Sequence, residues 1–286
     1  MIGSDEKDFI RGGFKADIRS DGRACNDSRP LSLSLGDLQP CSGSARCTLG
    51  STDVIVGVKA ELGAPLPDSP DCGGLHITVE CSPCAGPTSQ GRAGEALSFE
   101  LAKCLERALN AHPSGRGSAL DLRALSIVSG RTCWVLCIDA LVLACDGSLL
   151  DALSIAVRAA LQNTRIPLVE VGATEDPDEE PELELDDDPA NAKQVDVSRV
   201  PIIVTVCQMD DAFVVDPTAR EEEAAEQACH IAVMPTGNVC GMFRGSGAAV
   251  TPFALQEMMS LAQKRGPLLL QAVGKSIASA AMSMET

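Results

Sequence analysis

Aromatic side chains and basic residues are both scarce in this sequence of 286 residues. It contains six Phe, one Trp and no Tyr, and its 23 Lys and Arg are outnumbered by 40 Asp and Glu, for a net charge of −17. Attraction to phosphate needs an excess of basic residues, and single-stranded bases stack on aromatic rings. The composition therefore argues against a protein that binds nucleic acid on its own.

Long apolar runs and a disulfide framework are also missing. Asp139 interrupts the run from Cys133 to Cys145, so no run approaches the roughly 18 apolar residues of a membrane helix. The thirteen cysteines are an odd number and lie within apolar runs, unlike those of secreted disulfide scaffolds. Residues 1–9 carry three acidic side chains and lack the apolar centre of a signal peptide. We expect a soluble intracellular protein with no membrane partner.

The negative charge is concentrated in one stretch. Ten of the fourteen residues from Glu175 to Asp188 are acidic, more than half of the net charge of −17. With its prolines, this stretch is typical of an exposed loop. We expect an acidic linker over 172–192 that joins a first domain, 26–171, to a second domain with C-terminal helices, 193–286.

The remaining pattern predicts an α/β fold. Leu97, Leu101, Leu105 and Leu109 recur every four positions, which predicts a helix over 95–110. Further helices are expected at 149–163, at 221–229 and twice near the C-terminus. Strands are expected at 31–35, 44–49, 53–59, 76–81, 124–128, 133–143, near 195, 201–207, 212–215, 231–234 and 238–243. The strand at 133–143 is apolar on both faces, which is typical of a sheet that is covered on both sides.

Residues 1–25 form a charged N-terminal extension. A short helical pattern surrounds Phe9, Ile10 and Phe14, but Gly12-Gly13 weakens any helix there. We expect this extension to be solvated.

A glycine turn between a predicted strand and a predicted helix carries Asp146-Gly147-Ser148-Leu149-Leu150-Asp151. A helix that begins after such a turn presents free N–H groups, which bind anions. Asp151 lies three residues after the predicted N-cap Ser148, where its carboxylate can accept those N–H groups itself. We therefore expect a loop that is capped by its own side chain and is a poor phosphate site.

Metal and cofactor signals are weak. Cys81 and Cys84, with Cys72 and His76 upstream, approach the ligand number of a zinc site. Only one Cys-x-x-Cys is present, and His76 and Cys81 fall on opposite faces of one strand, so structural cysteines are favoured. No Walker loop or dinucleotide-binding glycine motif follows a strand. We expect no metal and no cofactor.

Side chains for acid–base or nucleophilic chemistry are also few. Neither His112 nor His230 has a nearby Ser, Cys and carboxylate arrangement that indicates a triad. Asp139 is either a buried catalytic acid or, as we favour, a carboxylate satisfied by its neighbours.

A series of short motifs follows along the chain. They are Asp21-Gly22-Arg23, Ser42-Gly43-Ser44-Ala45-Arg46, Leu49-Gly50-Ser51-Thr52-Asp53, Gly91-Arg92, Trp134-Val135-Leu136, Asp146-Gly147, and the block from Ala156 to Pro167. Taken in this order, over about 18–258, they resemble the RNase PH family, and within it the ring subunits of the RNA exosome.

The resemblance implies a fold and an assembly. The fold has two related βαβα-type halves with an element like domain 2 of ribosomal protein S5. Six such subunits form a hetero-hexameric ring beneath S1/KH cap subunits, and RNA threads the shared channel toward a separate nuclease. The resemblance also implies localisation to the nucleus and nucleolus, and to the cytoplasm.

The resemblance further implies which residues to inspect. Active relatives have a phosphate loop like Asp-Gly-Gly-Thr-Arg, whereas this chain has an aliphatic residue, Leu150, in place of the Arg. Of two catalytic carboxylates, the first aligns with Glu222 and the second with Ala228. Arg92 and Arg107 match RNA-contacting arginines.

These comparisons lead to a non-catalytic ring subunit that supports 3′-to-5′ RNA processing and decay, including rRNA maturation and mRNA turnover. Two alternatives remain open: a phosphorolytic 3′-to-5′ exoribonuclease that uses Glu222 and Arg92, and a stand-alone acidic interaction module. The apolar residues from Pro267 to Leu270, with Val273 and Ile277, either face a neighbouring subunit or pack on the chain's own core.

Overall fold

A computed structural model describes residues 2–86, 89–109, 119–172, 183–186, 188 and 190–284. Within these residues, no helix is both long enough and apolar enough to cross a membrane. All thirteen cysteines are free thiols.

The first sheet comprises six strands. They are β1 (Leu31–Leu35), β2 (Gly43–Leu49), β3 (Thr52–Gly63), β4 (Gly74–Cys81), β5 (Ser126–Val128) and β6 (Thr132–Ala144). Their order is β1-β2-β3-β6-β4, and β5 pairs with β6. Helix α2 (Gly91–Leu109) packs on β4 and connects it to β6, and these two strands run parallel. A 3₁₀ turn at Leu122–Leu125 precedes β5.

Strand β6 is central but is not covered on both faces. Leu136, Ile138 and Val142 are fully buried on one face, whereas Asp139 on the other face is exposed and Cys137 is half-buried. The prediction of a sheet covered on both sides was therefore wrong. Asp139 is not a buried acid of any kind.

Helix α3 (Leu149–Asn163) has the predicted bounds and lies between the two sheets. It packs on β2 and β3 of the first sheet and on β11 (Ile202–Met209) of the second. Twelve of its fifteen residues are buried, because a helix between two layers must be apolar all round. This placement fixes the loop before α3 at the junction of the two halves.

The second sheet has the order β12-β11-β13-β14. Its other strands are β12 (Ala212–Val215), β13 (Gln227–Val233) and β14 (Val239–Gly247). Helix α4 is short, Ala219–Ala224, and is capped by Thr218 and Glu221 in a reciprocal pair of hydrogen bonds. The predicted helix over 221–229 is confirmed only over 221–224 and was wrong beyond it, because the chain enters β13 at Gln227.

The C-terminal part is one helix, α5 (Pro252–Met284), where two were expected. It contains Pro267 and packs on β1, β11 and β13. Val273 and Ile277 are buried in the chain's own core, whereas Leu268 is 54% exposed. Of the two alternatives for this segment, the structure favours packing on the core.

The N-terminal extension holds a helix, α1 (Ser4–Lys15), in spite of its two glycines. Phe14 is buried, and the Arg11 guanidinium donates to the Ala224 carbonyl oxygen of α4. The expectation of a solvated extension was wrong for this helix, because it docks on the second half.

Two small ribbons follow α3. Strand β7 (Arg165–Ile166) pairs with β10 (Lys193–Gln194), and β8 (Val169–Val171) pairs with β9 (Leu183–Leu185). Strand β9 lies inside the segment that was expected to be a loop. The part of the acidic stretch that precedes it, 175–182, lies outside the described residues.

Candidate functional site

The loop that the sequence singled out connects β6 to α3. Gly147 and Ser148 both adopt left-handed backbone conformations, with φ of +82° and +49°. A Cβ at Gly147 would lie 2.5 Å from the carbonyl oxygen of Pro217, so only glycine fits there. The loop is thus pressed against the turn that precedes α4.

The backbone N–H of Ser148 is already occupied. It donates to Glu222 Oε1 at 2.7 Å, and the Ser148 hydroxyl donates to the Pro217 carbonyl oxygen at 2.9 Å. An N–H at the start of a helix is where an anion would bind. A carboxylate from α4 takes that place here.

Asp151 does not cap its own helix, so that expectation was wrong. Its carboxylate turns toward the second sheet, where Oδ2 accepts from the Thr205 N–H at 2.9 Å and Oδ1 bonds the Thr205 hydroxyl. The same hydroxyl lies 2.8 Å from His230 Nδ1. Asp151, Thr205 and His230 therefore form a continuous hydrogen-bonded chain.

Burial shifts the pKa values of Asp151, Glu222 and His230. It raises the pKa of Asp151 well above its usual value, against the hydrogen bonds from Thr205, and raises the pKa of Glu222 to about 7. Burial also lowers the pKa of His230 to about 4, so the imidazole is neutral at neutral pH. The site thus carries less charge than its residues suggest.

A cavity of about 370 Å³ adjoins these groups. Its lining includes Glu222, Ala228 and His230 together with leucines of α2 and α3. A Cβ at Gly245 of the neighbouring strand would lie 2.7 Å from the Ala228 Cβ and 3.0 Å from His230 Nε2. Small residues at 228 and 245 therefore help to keep this space open.

A buried ion pair, Arg29–Asp216, contacts the loop through its carbonyl oxygens. The Arg29 guanidinium meets both carboxylate oxygens of Asp216, with Nη2 to Oδ1 at 2.7 Å, and donates to the carbonyl oxygens of Asp146 and Gly147 at 2.6 and 3.1 Å. Thr52 donates to the same Gly147 oxygen at 2.8 Å. The pair joins the N-terminal segment, the loop and the second half of the chain.

Sequence reasoning missed several of these residues. Arg29 and Asp216 are 187 positions apart, and Thr205 is 54 positions from Asp151 and 25 from His230. Among the sequence signals, only the family motifs at the loop before α3 and at Glu222 indicated this site. His112 lies outside the described residues.

The two arginines expected to contact RNA are both exposed on α2 but far apart. Arg92 lies in the first turn and Arg107 in the last. Fifteen residues of helix separate them by about 22 Å. Arg107 also lies over the Phe243 ring, 5.4 Å from its centroid. Neither arginine lines the cavity beside Glu222.

The zinc site that was weighed against structural cysteines would use Cys72, Cys81, Cys84 and His76. Cys72 is buried, while Cys84 and His76 are exposed. Over the part of the chain that the structure describes, no group of three or more His, Cys, Asp or Glu side chains is placed to hold a metal ion.

Comparison with known proteins matches both halves of the chain. The family model for domain 1 of the 3′ exoribonuclease family (RNase PH) covers residues 27–167, and that for domain 2 covers residues 199–265. The chain is 33% identical to the exosome complex component Rrp42 of Pyrococcus horikoshii, over 94% of this chain and 95% of that protein. It is 34% identical to the protein of the same name from Thermococcus kodakarensis, over 98% of each.

A solved structure agrees. A subunit of the Archaeoglobus fulgidus exosome, determined with RNA bound to the active site, superimposes with a TM-score of 0.77 at 26% identity, over 93% of this chain and 97% of that one. With matching models over both domains and relatives above 30% identity along nearly its whole length, the chain belongs to the RNase PH family of 3′ exoribonucleases.

Proposed function

We propose that this protein is a non-catalytic subunit of an exosome ring and helps to form the channel through which RNA is threaded. Similarity to exosome components named Rrp42 along almost the entire chain supports the ring assignment. So does the superposition on an archaeal exosome subunit. The neighbours in the ring are other RNase PH-like subunits.

The observation that carries the non-catalytic part is the hydrogen bond from Ser148 N–H to Glu222 Oε1. Phosphorolysis needs a phosphate ion held beside the scissile bond. In this chain the helix N–H of the loop is taken by a carboxylate, and Leu150 stands where relatives have an arginine. A phosphate entering here would have to displace Glu222 from the loop and would find no cation at position 150, although Arg244 of β14 lines the same cavity.

The second catalytic position gives further support. Ala228 is buried in the cavity wall and has no group that could accept or donate a proton. Glu222, with its pKa raised to about 7, is half protonated near neutral pH. One partly neutral carboxyl that is already bonded to the loop is a poor substitute for two carboxylates.

The RNA contact in this proposal comes from α2. Arg92 and Arg107 are exposed along one helix, which suits contact with separate phosphates of a strand shared with a neighbouring subunit. The proposal makes three further predictions. The ring carries cap subunits and works with a separate nuclease. It takes part in rRNA maturation and mRNA turnover, and it is found in the nucleus, the nucleolus and the cytoplasm.

Ring membership can be tested by co-expression with RNase PH-like exosome subunits of the same organism. We expect the chain to elute in a complex whose native mass fits a hetero-hexamer. A chain that stays monomeric in their presence would favour the acidic interaction module instead. The exonuclease alternative predicts that the purified chain releases nucleoside diphosphates from labelled RNA only when phosphate is added, and we expect no release.

A further inference from the structure

Three side chains form a hydrogen-bonded chain from the interior to the cavity beside Glu222. Thr205 of β11 and His230 of β13 lie opposite each other in the strand register, so their side chains share a face of the second sheet. Asp151 reaches the same face from α3, and its Oδ1 lies 2.5 Å from the Thr205 hydroxyl oxygen. That oxygen lies 2.8 Å from His230 Nδ1. The proposed function uses none of these contacts.

The second nitrogen of the His230 ring, Nε2, is the end of this chain that meets the cavity. His230 belongs to the cavity lining, and a Cβ at Gly245 would lie 3.0 Å from Nε2, so the glycine keeps Nε2 open to the cavity. Within the residues that the structure describes, Nε2 takes part in no hydrogen bond. Nε2 is therefore positioned to bond a ligand in the cavity.

The two contacts of the Thr205 hydroxyl determine where protons lie along the chain. The hydroxyl has a single proton, which it donates either to Asp151 or to His230 Nδ1, but not to both. If it donates to an ionised Asp151, Nδ1 must carry a proton and donate to the hydroxyl, so Nε2 is a bare acceptor. If a protonated Asp151 donates to the hydroxyl, the hydroxyl donates to Nδ1, and the ring proton lies on Nε2. The protonation of Asp151 therefore decides what Nε2 offers to the cavity.

We propose that Asp151, Thr205 and His230 form a proton relay that makes Nε2 a hydrogen-bond acceptor when Asp151 is ionised and a donor when Asp151 is protonated. One proton arrives at Nε2 from the cavity, the Nδ1 proton passes to Thr205 Oγ1, and the hydroxyl proton passes to Asp151 Oδ1. The carboxylate becomes a carboxylic acid, and the imidazole stays neutral. A cavity ligand is then held through its own donor at higher pH and through its own acceptor at lower pH.

The pKa values of the two ionisable groups suit such a relay. Burial raises the pKa of Asp151 well above its usual value, the hydrogen bonds from Thr205 offset this only in part, and the charges of Asp216 and Glu222 add to it. Burial lowers the pKa of His230 to about 4. As the pH falls, Asp151 therefore takes up its proton before the imidazole becomes a cation.

Other ionisable side chains lie around the relay and bear on its pH dependence. The acidic and basic ones are Glu100, Asp216, Glu222, Arg29, Arg244 and Arg265. Burial raises the pKa of the neighbouring thiols of Cys104, Cys145 and Cys207, so they stay protonated near neutral pH. Glu222 lines the same cavity, and burial raises its pKa to about 7. The measurement therefore uses Glu222→Gln, whose side chain accepts from the Ser148 N–H but cannot ionise.

Nuclear magnetic resonance of the full-length chain with isotope-labelled histidine detects the relay directly, because the chemical shift of a ring nitrogen depends on whether it carries a proton. The sequence has three histidines, and the signals that His230→Gln removes identify the ring of His230. As the pH is lowered from about 9 to about 5, we expect the proton of the neutral ring to move from Nδ1 to Nε2. A proton that stays on one nitrogen over this range would overturn the proposal.

Further substitutions in the same background assign the change to these residues. Asp151→Asn donates from its amide to the Thr205 hydroxyl at every pH, so we expect the ring proton to stay on Nε2. Thr205→Val removes the hydroxyl and should abolish the change, whereas Thr205→Ser should keep it. Ser154→Ala is the matched control and should also keep it, because Ser154 joins α3 to β11 through the Ile203 N–H, at 2.9 Å, outside the relay. A change that persists in Asp151→Asn or Thr205→Val, or is lost in Thr205→Ser, would overturn the proposal.

Discussion

Folding raises the pKa of Glu222 into the range near neutral pH, where its effect on stability can be measured. Its folded pKa of about 7 lies above the ordinary 4.5 of a glutamic acid. Between these values the folded protein retains a proton that the unfolded chain releases, so the free energy of unfolding falls as the pH rises through this window. The contribution is at most about 3 kcal/mol.

Replacing Glu222 isolates this effect. Glu222→Gln keeps an acceptor for the Ser148 N–H but cannot ionise. We expect the variant to gain stability relative to the native protein by up to about 3 kcal/mol between pH 5 and pH 8, measured by urea unfolding. Burial is the largest cause of the raised Asp151 pKa and is common to both proteins, while the Glu222 charge is a smaller cause that the variant removes. A stability difference that does not change with pH would contradict the assignment.

Single residues near the site were predictable only where a motif carried them. The loop at Gly147, Glu222 and Ala228 followed from the family pattern, and the structure brings them to one cavity. The partners of Asp151 could not be predicted, since hydrogen bonds to Thr205 and His230 depend on how two distant strands register. Local capping rules therefore gave the wrong partner for that carboxylate.

Among the elements, α5 offers the clearest test of packing. Ile277 is buried on the core, while Leu268 on the same helix is 54% exposed. We expect Ile277→Ala to lower the free energy of unfolding by about 2–5 kcal/mol, because it leaves a cavity. Leu268→Ala serves as the control and should cost less than about 0.5 kcal/mol. Equal losses would indicate that α5 does not pack as described.

Periodicity predicted the bounds of some elements well, whatever their length, and missed others. Strand β12 and helix α3 have the predicted bounds, because the apolar residues that each of them buries are evident in the sequence. The predicted helix over 221–229 was wrong beyond 224: its acidic N-terminal half forms α4, but tertiary pairing draws Gln227 onward into β13. The docking of α1 depends on Phe14 reaching the second half, which no local pattern shows.

At the scale of the whole molecule, the Arg29–Asp216 pair joins segments that are distant in sequence. Both side chains are buried, at 5% and 3% exposure. We expect Arg29→Met to lower the free energy of unfolding by about 3 kcal/mol, because it leaves the buried Asp216 with Arg23, at 3.2 Å, as its remaining cation and removes the donor to the Asp146 carbonyl oxygen. Urea unfolding measures the loss.

The matched control is Arg46→Met. Arg46 pairs with Asp53 at 2.6 Å, but its side chain is 47% exposed. Exposed pairs contribute less than about 1 kcal/mol, so this variant should unfold almost like the native protein. Comparable losses from the two variants would contradict a special role for the buried pair in holding the halves together.

The most direct measurement of catalysis uses the assembled ring. The ring is reconstituted from this chain and RNase PH-like partners whose catalytic carboxylate residues are all changed to alanine. Phosphate-dependent release of nucleoside diphosphates from labelled RNA is then recorded. We predict that added phosphate produces no release above the level measured without it. We also predict that Glu222→Ala leaves this result unchanged. Phosphate-dependent release that disappears with Glu222→Ala would contradict a non-catalytic subunit.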